Sequence, residues 1–284
     1  CRSALYCILP PYMLRNIVEN GSADRPEQAL RNVVSAEAVR VQTKVDAKEG
    51  PPERLMTAIG GMNRIVYSAQ NAGNLPGQQV RVEGGPPTGD AAADEAYDGA
   101  GATHSLYKDV YNRDSIDGNG ARLDSTVHYR VGYDNAFWNG QQMVYGDGDE
   151  DLPTDQRLFN RFTIAIDVIG HELTHAVTQF TANLIYQGQS GALNESMSDV
   201  FGSLVKQRHK GQTAAEADWI IGEGLFTPRV NGTGIRNMKQ PGTGYNDPVL
   251  GKDPQPGHMK DYVQTQADNG GVHINSGIPN RAFY

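Results

Sequence analysis

Residues 164–177 read Ile-Ala-Ile-Asp-Val-Ile-Gly-His-Glu-Leu-Thr-His-Ala-Val, an almost unbroken apolar run with two histidines and a glutamate at its centre. Such a run reads as a buried central helix, and burying His171, Glu172 and His175 in it is costly unless they bind something or pair. Side chains four apart stack on one helix face, so both imidazoles reach a single metal ion. Glu172 projects beside them, poorly placed to ligate but close enough to take a proton from a metal-activated water. A tetrahedral catalytic zinc needs a third protein ligand, expected downstream. In Asn194-Glu195-Ser196-Met197-Ser198-Asp199, Glu195 follows His175 by twenty positions, far enough for a helix to end, turn and return. Asp199, one helical turn later, is suited to hold a ligand histidine by its free ring N–H. His-Glu-x-x-His alone also arises by chance on polar helices. The apolar flanks and the two downstream carboxylates argue against that reading here.

The rest of the chain bounds what such a site can serve. At 284 residues there is material for one large or two modest domains. A net charge of −8 and a pI near 5.4 argue against nucleic acid or an anionic membrane surface as partner. No stretch approaches the roughly twenty apolar residues of a membrane span. The only cysteines, Cys1 and Cys7, make no disulfide framework. Residues 5–14 are too short for a secretory signal and are broken by Pro10 and Pro11. The chain opens on Cys1 and stops at Tyr284 in mid-pattern, as a fragment or processed piece would.

Three stretches separate by composition. Residues 1–60 carry an apolar strip from Cys7 to Leu14, then a helix-like segment over Ala29–Lys44. Residues 61–160 alternate polar and apolar, are rich in Gly, Asn and Asp, and read as strands with long loops, Gly84–Gly89 being one. From Phe162 the pattern turns helical, with one helix through Phe180 and another from about Ala192 to Lys210.

Over about Ala96–Tyr284 the chain resembles the thermolysin-like (M4) zinc metallopeptidases. The motifs are His-Glu-Leu-Thr-His-Ala-Val-Thr at 171–178, Asn-Glu-Ser-Met-Ser-Asp at 194–199, Asn-Ala-Phe-Trp-Asn-Gly at 135–140, Tyr-Gly-Asp-Gly-Asp at 145–149 and Gly-Gly-Val-His-Ile-Asn-Ser-Gly at 270–277. The N-terminal segment is similar to that of the protealysin branch, whose short propeptide carries a double-proline apolar motif and blocks the cleft. The resemblance implies an α+β, two-lobed fold. A propeptide over 1–60 would precede a β-rich lobe with the zinc-binding helix over 61–185 and an incomplete helical lobe over 186–284. Propeptide cleavage is expected between Ala58 and Ile65.

Position by position, the resemblance makes His171, His175 and Glu195 the ligands of one zinc ion and Glu172 the general base. Asp199 becomes the partner of a ligand histidine. Tyr186 and His273 fall where the family places donors to the tetrahedral oxyanion, with Asp268 orienting His273. Arg236 matches the arginine that contacts a substrate carbonyl, and Asn135 and Ala136 the edge segment that pairs with an extended substrate. Val168, Ile221, Leu225 and Ile235 would line an apolar pocket, implying cleavage before bulky hydrophobic residues. Cys7, Pro10, Pro11 and Tyr12 match the inhibitory motif, Cys7 either as a thiolate on the zinc or as a small packing residue.

The expected protein is thus a monomeric zinc endopeptidase acting on peptides or proteins, made as a zymogen held by its own propeptide, and secreted by family expectation. Two other readings stand beside it: a zinc aminopeptidase, for which no acidic subsite is visible, and an inert truncated homologue that only binds peptides. Calcium is doubtful. Lys206 and Ile220 stand where carboxylates of a double calcium site are expected, while Asp167, Asp218 and Glu223 remain, so the lysine ammonium can take a cation's place. In the loop Thr227–Thr233, Thr233 replaces an expected aspartate. If the chain lacks further helices, the helix over 192–210 should expose Phe201, Leu204 and Val205.

Overall fold

The computed structural model describes residues 6–21 and 61–284. The expected Ala29–Lys44 helix and the start of the Ala58–Ile65 processing window lie outside the described residues.

Six strands form one mixed sheet: β1 (Tyr6–Cys7), β2 (Arg64–Ser68), β3 (Gln78–Val82), β4 (Leu123–Val127), β5 (Ala136–Trp138) and β6 (Met143–Tyr145). Their order is β1-β5-β6-β4-β2-β3, with β2/β4 and β4/β6 parallel and the other pairs antiparallel. The N-terminal strand β1 therefore lies at the edge of the sheet, against β5. Pro10 ends this strand and Pro11 opens helix α1 (Pro11–Asn20), the first helical position being one where a missing N–H costs nothing.

The reading of 61–160 as strands and loops missed a long helix, α2 (Ala91–Tyr111). Its Gly99 and Gly101 look like loop residues in the sequence, but here they allow close packing. A Cβ on Gly99 would meet Ile169 Cδ1 at 2.4 Å. Asp90 caps the helix by accepting from the N–H groups of Ala92 and Ala93.

After a 3₁₀ turn over Phe162–Ile164, the central helix α3 runs Ile166–Gln179. Helix α4 spans Gly188–Lys210, starting four residues before the expected Ala192, and ends at Gly211 with φ 64°. Glycines let α3 and α4 touch: a Cβ on Gly202 would lie 2.4 Å from the Asp167 carbonyl oxygen. This contact brings Glu195 over the two histidines. Two short ribbons follow, β7 (Ile220–Ile221) with β8 (Arg236–Asn237) and β9 (Asn246–Asp247) with β10 (Gly251–Lys252). Helices α5 (Asp268–Asn275) and α6 (Gly277–Phe283) close the chain, and α5 starts through a left-handed run at Asn269, Gly270 and Gly271.

The expected exposure of α4 needs correcting. Val205 is buried, and Phe201 stacks on Tyr107 at 5.2 Å between ring centroids. Leu193 and Met197, nearer the helix start, are the exposed apolar residues of α4.

Candidate active site

All three expected ligands are fully buried and converge. The nearest ligand atoms of His171, His175 and Glu195 lie within 4.8 Å of one another. His171 Nδ1 bonds Asp199 Oδ1 at 2.8 Å, and His175 Nδ1 bonds Asn194 Oδ1 at 2.8 Å. Carboxylate and amide oxygens only accept, so both Nδ1 atoms carry the proton and both Nε2 atoms present lone pairs. Those two Nε2 atoms face each other at 3.0 Å, with Glu195 oxygens 3.5 Å from His171 and 3.4 Å from His175. Glu195 Oε2 has no hydrogen-bond partner. Lone pairs brought together in a buried site are unfavourable unless a cation sits among them, and imidazole nitrogens with one carboxylate suit zinc.

Charge follows the same logic. Burial, over the pull of Asp199, lowers His171 to about 4, so it stays neutral. Burial pushes Glu195 up, but the charge of His273 leads the effects that outweigh it and hold the carboxyl well below its usual range. Asp199, likewise opposed by burial, is kept ionised by Arg236 and His171. Arg236 Nε and Nη2 both reach Asp199, each at 2.8 Å.

Glu172 accepts from the Trp138 backbone N–H at 3.1 Å through Oε2, while Oε1 is unpartnered and free to act. Burial and then the charge of Glu195 push its carboxyl well above the usual range. His273 Nδ1 bonds Asp268 Oδ1 at 2.6 Å. The Tyr186 hydroxyl donates to Glu195 and lies 3.2 Å from His273 Nε2. The sequence thus brought Tyr186, His273 and Asp268 to the same point as the ligands.

The N-terminal strand runs through this site. Ile8 N–H donates to the Ala136 carbonyl at 3.1 Å and Leu9 N–H to Asn135 Oδ1 at 3.0 Å. Arg236 Nη1 donates to the Ile8 carbonyl at 3.1 Å, and His273 Nε2 to the Cys7 carbonyl at 2.9 Å. Ile8 is fully buried in the same apolar cluster as Val168, Ile221, Leu225 and Ile235. Pro10 is also buried, and Pro11 and Tyr12 are half-buried at the start of α1.

The thiolate reading of Cys7 is overturned. Alternation along β1 turns its side chain away from the ligands and into a separate cluster with Ala69, Tyr129, Tyr133, Phe137 and Val144. Tyr6 faces the site instead, stacked on His175 at 4.4 Å. The expected ammonium among carboxylates is present: Lys206 Nζ lies 3.1 Å from Asp167, 2.7 Å from Asp218 and 3.9 Å from Glu223. The Ile220 carbonyl accepts from the same ammonium at 2.5 Å. Thr233 donates to the Gly244 carbonyl at 3.4 Å.

Sequence reasoning missed four contributors. Asn194 orients His175, the Trp138 N–H holds Glu172, Asn280 Nδ2 donates to Asp199 at 2.8 Å, and Gln255 Nε2 donates to the His273 carbonyl at 2.7 Å. Asn194 and Trp138 lie inside motifs already singled out, beside residues that were given roles. Nothing in the sequence marks Gln255 or Asn280, because their relation to the site exists only after folding.

A buried His-His-carboxylate triad with an adjacent free carboxylate, beside a sheet edge that pairs with extended chain, defines a metallopeptidase centre. Family models agree: residues 62–179 match the thermolysin metallopeptidase catalytic domain and 182–284 the thermolysin metallopeptidase alpha-helical domain. An extracellular metalloprotease of Pectobacterium carotovorum subsp. carotovorum is 50% identical over 98% of this chain and 77% of that protein. Thermolysin of Alicyclobacillus acidocaldarius subsp. acidocaldarius is 46% identical over 79% of this chain and 38% of its own length. The solved precursor of protealysin, a metalloproteinase from Serratia proteamaculans, superposes with a TM-score of 0.86 at 53% identity, covering 98% of this chain and 79% of that one. The chain belongs to the thermolysin-like M4 zinc metallopeptidases, in the protealysin-type branch, and is a zinc metalloendopeptidase of zymogen type.

Proposed function

We propose that His171, His175 and Glu195 hold the zinc and that Glu172 is the general base for peptide-bond hydrolysis. The three proton-free acceptors facing one another in a buried site carry this reading. Bound there, zinc lowers the pKa of a coordinated water to about 7 and polarises a carbonyl. Glu172, steadied by the Trp138 N–H, takes a proton through its free Oε1 and returns it to the leaving amine. His273, turned by Asp268, and Tyr186 donate to the developing oxyanion; removing one such donor costs about 2.7–4 kcal/mol.

Asn135, Ala136 and Arg236 fix the substrate backbone, and the Val168, Ile221, Leu225 and Ile235 pocket receives a bulky apolar side chain after the scissile bond. Residues 1–60 serve as the propeptide in cis, 61–185 as the β-rich lobe with the zinc helix, and 186–284 as part of the helical lobe. The enzyme works as a secreted monomer; the extracellular name of its Pectobacterium relative supports export.

The test is Glu172→Ala. The variant should bind zinc stoichiometrically by elemental analysis, while casein hydrolysis falls about 10²–10⁴-fold. Retained activity would remove Glu172 as the base. An active protein with no bound metal would sink the reading altogether.

A further inference from the structure

We infer that Asn280, on the closing helix α6, is a positioning residue of the metal centre: its amide sets the carboxylate of Asp199 and, through it, the ring of the ligand His171. The inference rests on the proposed ligand set and goes beyond it to a residue outside every motif that carries the family resemblance. Asn280 is fully buried, whereas the next residues, Arg281 and Ala282, are exposed, so α6 turns this polar side chain inward. Its Nδ2 donates to Asp199 Oδ2 at 2.8 Å, while its Oδ1 is buried without a hydrogen-bond partner. A carboxylate only accepts, so the opposite amide orientation would set two acceptors against each other, and the donor must face Asp199. Burying an amide with one end unsatisfied is unfavourable. Leucine, of similar branched shape, would escape that cost, so packing alone gives no reason for an amide here. What the amide adds is a donor.

That donor completes a hold on Asp199 from three elements besides its own α4. Asp199 Oδ1 accepts from His171 Nδ1 on α3 at 2.8 Å and from Arg236 Nη2 on β8 at 2.8 Å. Asp199 Oδ2 accepts from Arg236 Nε at 2.8 Å and from Asn280 on α6. Arg236 Nε also lies 3.1 Å from Oδ1, so the guanidinium spans both oxygens and tolerates rotation of the carboxylate between them. His171 and Asn280 each hold one oxygen, and together they fix its plane.

Without Asn280 the carboxylate can turn about its Cβ–Cγ bond toward an even fork with Arg236. That turn draws Oδ1 off the line of the His171 N–H, and the ring that presents Nε2 to the other ligands follows it. The effect is one of direction. Against burial, Arg236 and His171 already keep Asp199 ionised without the amide.

The full chain tests this with Asn280→Leu and Asn280→Asp, zinc dissociation constants being read by competition with a chromogenic chelator. Losing an outer partner of a ligand histidine typically costs roughly 10–100-fold in metal affinity; Asp199 keeps its other donors, so about 10-fold is expected for Asn280→Leu. Asn280→Asp sets a second carboxylate against Asp199 at nearly unchanged size, should lose at least as much, and carries the test if the leucine variant does not fold. Cobalt(II) in place of zinc should give a shifted visible spectrum in both. Phe283→Ala is the control, since it loosens the same helix where Phe283 packs edge-on to Trp219, at 6.2 Å between ring centroids. It should lower the melting temperature and leave zinc affinity and the cobalt spectrum unchanged. In an Asp199→Ala background the route is gone, and Asn280→Leu should then change zinc affinity by less than about 2-fold. Wild-type affinity in both Asn280 variants, an equal loss in Phe283→Ala, or an undiminished effect without Asp199 would each overturn the inference and leave the proposed function standing. A wild-type chain that binds no zinc would instead remove the proposed function.

Discussion

Replacing Lys206 by methionine isolates what an ammonium contributes in a cluster built for cations. Lys206 and Asp167 are both almost fully buried, 3.1 Å apart, and the same ammonium serves Asp218 and the Ile220 carbonyl. Lys206→Met keeps the apolar stem and deletes the charge. Breaking a buried pair by removing one partner costs about 3–5 kcal/mol, because the remaining charge is left uncompensated. Asp167 can limit the loss by taking up a proton. Burial already raises its carboxyl, Lys206 only partly offsetting this, and without the ammonium it rises further. The lower figure, about 3 kcal/mol, is therefore the better expectation. At roughly 2–4 °C per kcal/mol for a domain this large, the melting temperature should fall about 6–12 °C.

The sign of the pH dependence follows. With its folded pKa raised, Asp167 in the variant binds a proton more tightly folded than unfolded. The loss should then be smallest in mild acid and grow as pH rises above the ordinary carboxylate range. Lys206→Glu would gather four carboxylates around the Ile220 carbonyl, and oxygen ligands of that kind suit calcium. That variant should be unstable alone and rescued by calcium, by about 2.7 kcal/mol at 100 times the dissociation constant. Calorimetry with and without calcium reads all of this. A Lys206→Met melting point within 1–2 °C of wild type would refute the reasoning, as would a rise of many degrees when wild type is given calcium.

Other outcomes are equally specific. Cys7→Ser should leave latency unchanged, because the thiol packs among aromatic rings; premature casein activity in that precursor would restore the thiolate reading. His128 is raised to about 9 by Asp147, against burial, with Asp90 adding to the effect. Its ion pairs therefore stabilise fully below its unfolded pKa near 6.5 and are lost as pH climbs through 9. His128→Gln should flatten the decline of melting temperature over that window, by about 1–2 kcal/mol after solvent screening; an unchanged slope would exclude it. Gly99→Ala should cost about 1–3 kcal/mol in chemical denaturation, because its methyl would strike Ile169 on α3. A neutral result would mean α2 and α3 are less closely packed.

What the sequence made legible was chemistry at fixed local spacing. His171, Glu172 and His175 sit on one helical stretch, and Glu195 and Asp199 are one turn apart on another, so periodicity alone sets their relative directions. Helix α2 was hidden for the opposite reason. Gly99 and Gly101 are poor helix formers, and only their contacts with Ile169 and Arg64 explain them, contacts with residues far away in the chain. Asn280 and Gln255 were illegible likewise, since a single amide side chain carries no pattern until a loop brings it to Asp199 or to the backbone of His273.

Cys7 shows where a residue's chemistry misleads. A thiol near a zinc site invites ligation, yet in an extended strand successive side chains point to opposite faces. With Ile8 buried in the apolar core and Tyr6 stacked on His175, strand alternation turns Cys7 away. Its backbone carbonyl, which any residue would supply, is then the group that meets His273. Latency in this chain is thus written in the register of a backbone against a sheet edge. A side-chain substitution at position 7 that keeps the strand extended should leave it intact, whereas moving the strand by one residue would exchange the two faces and expel Ile8 from the apolar core.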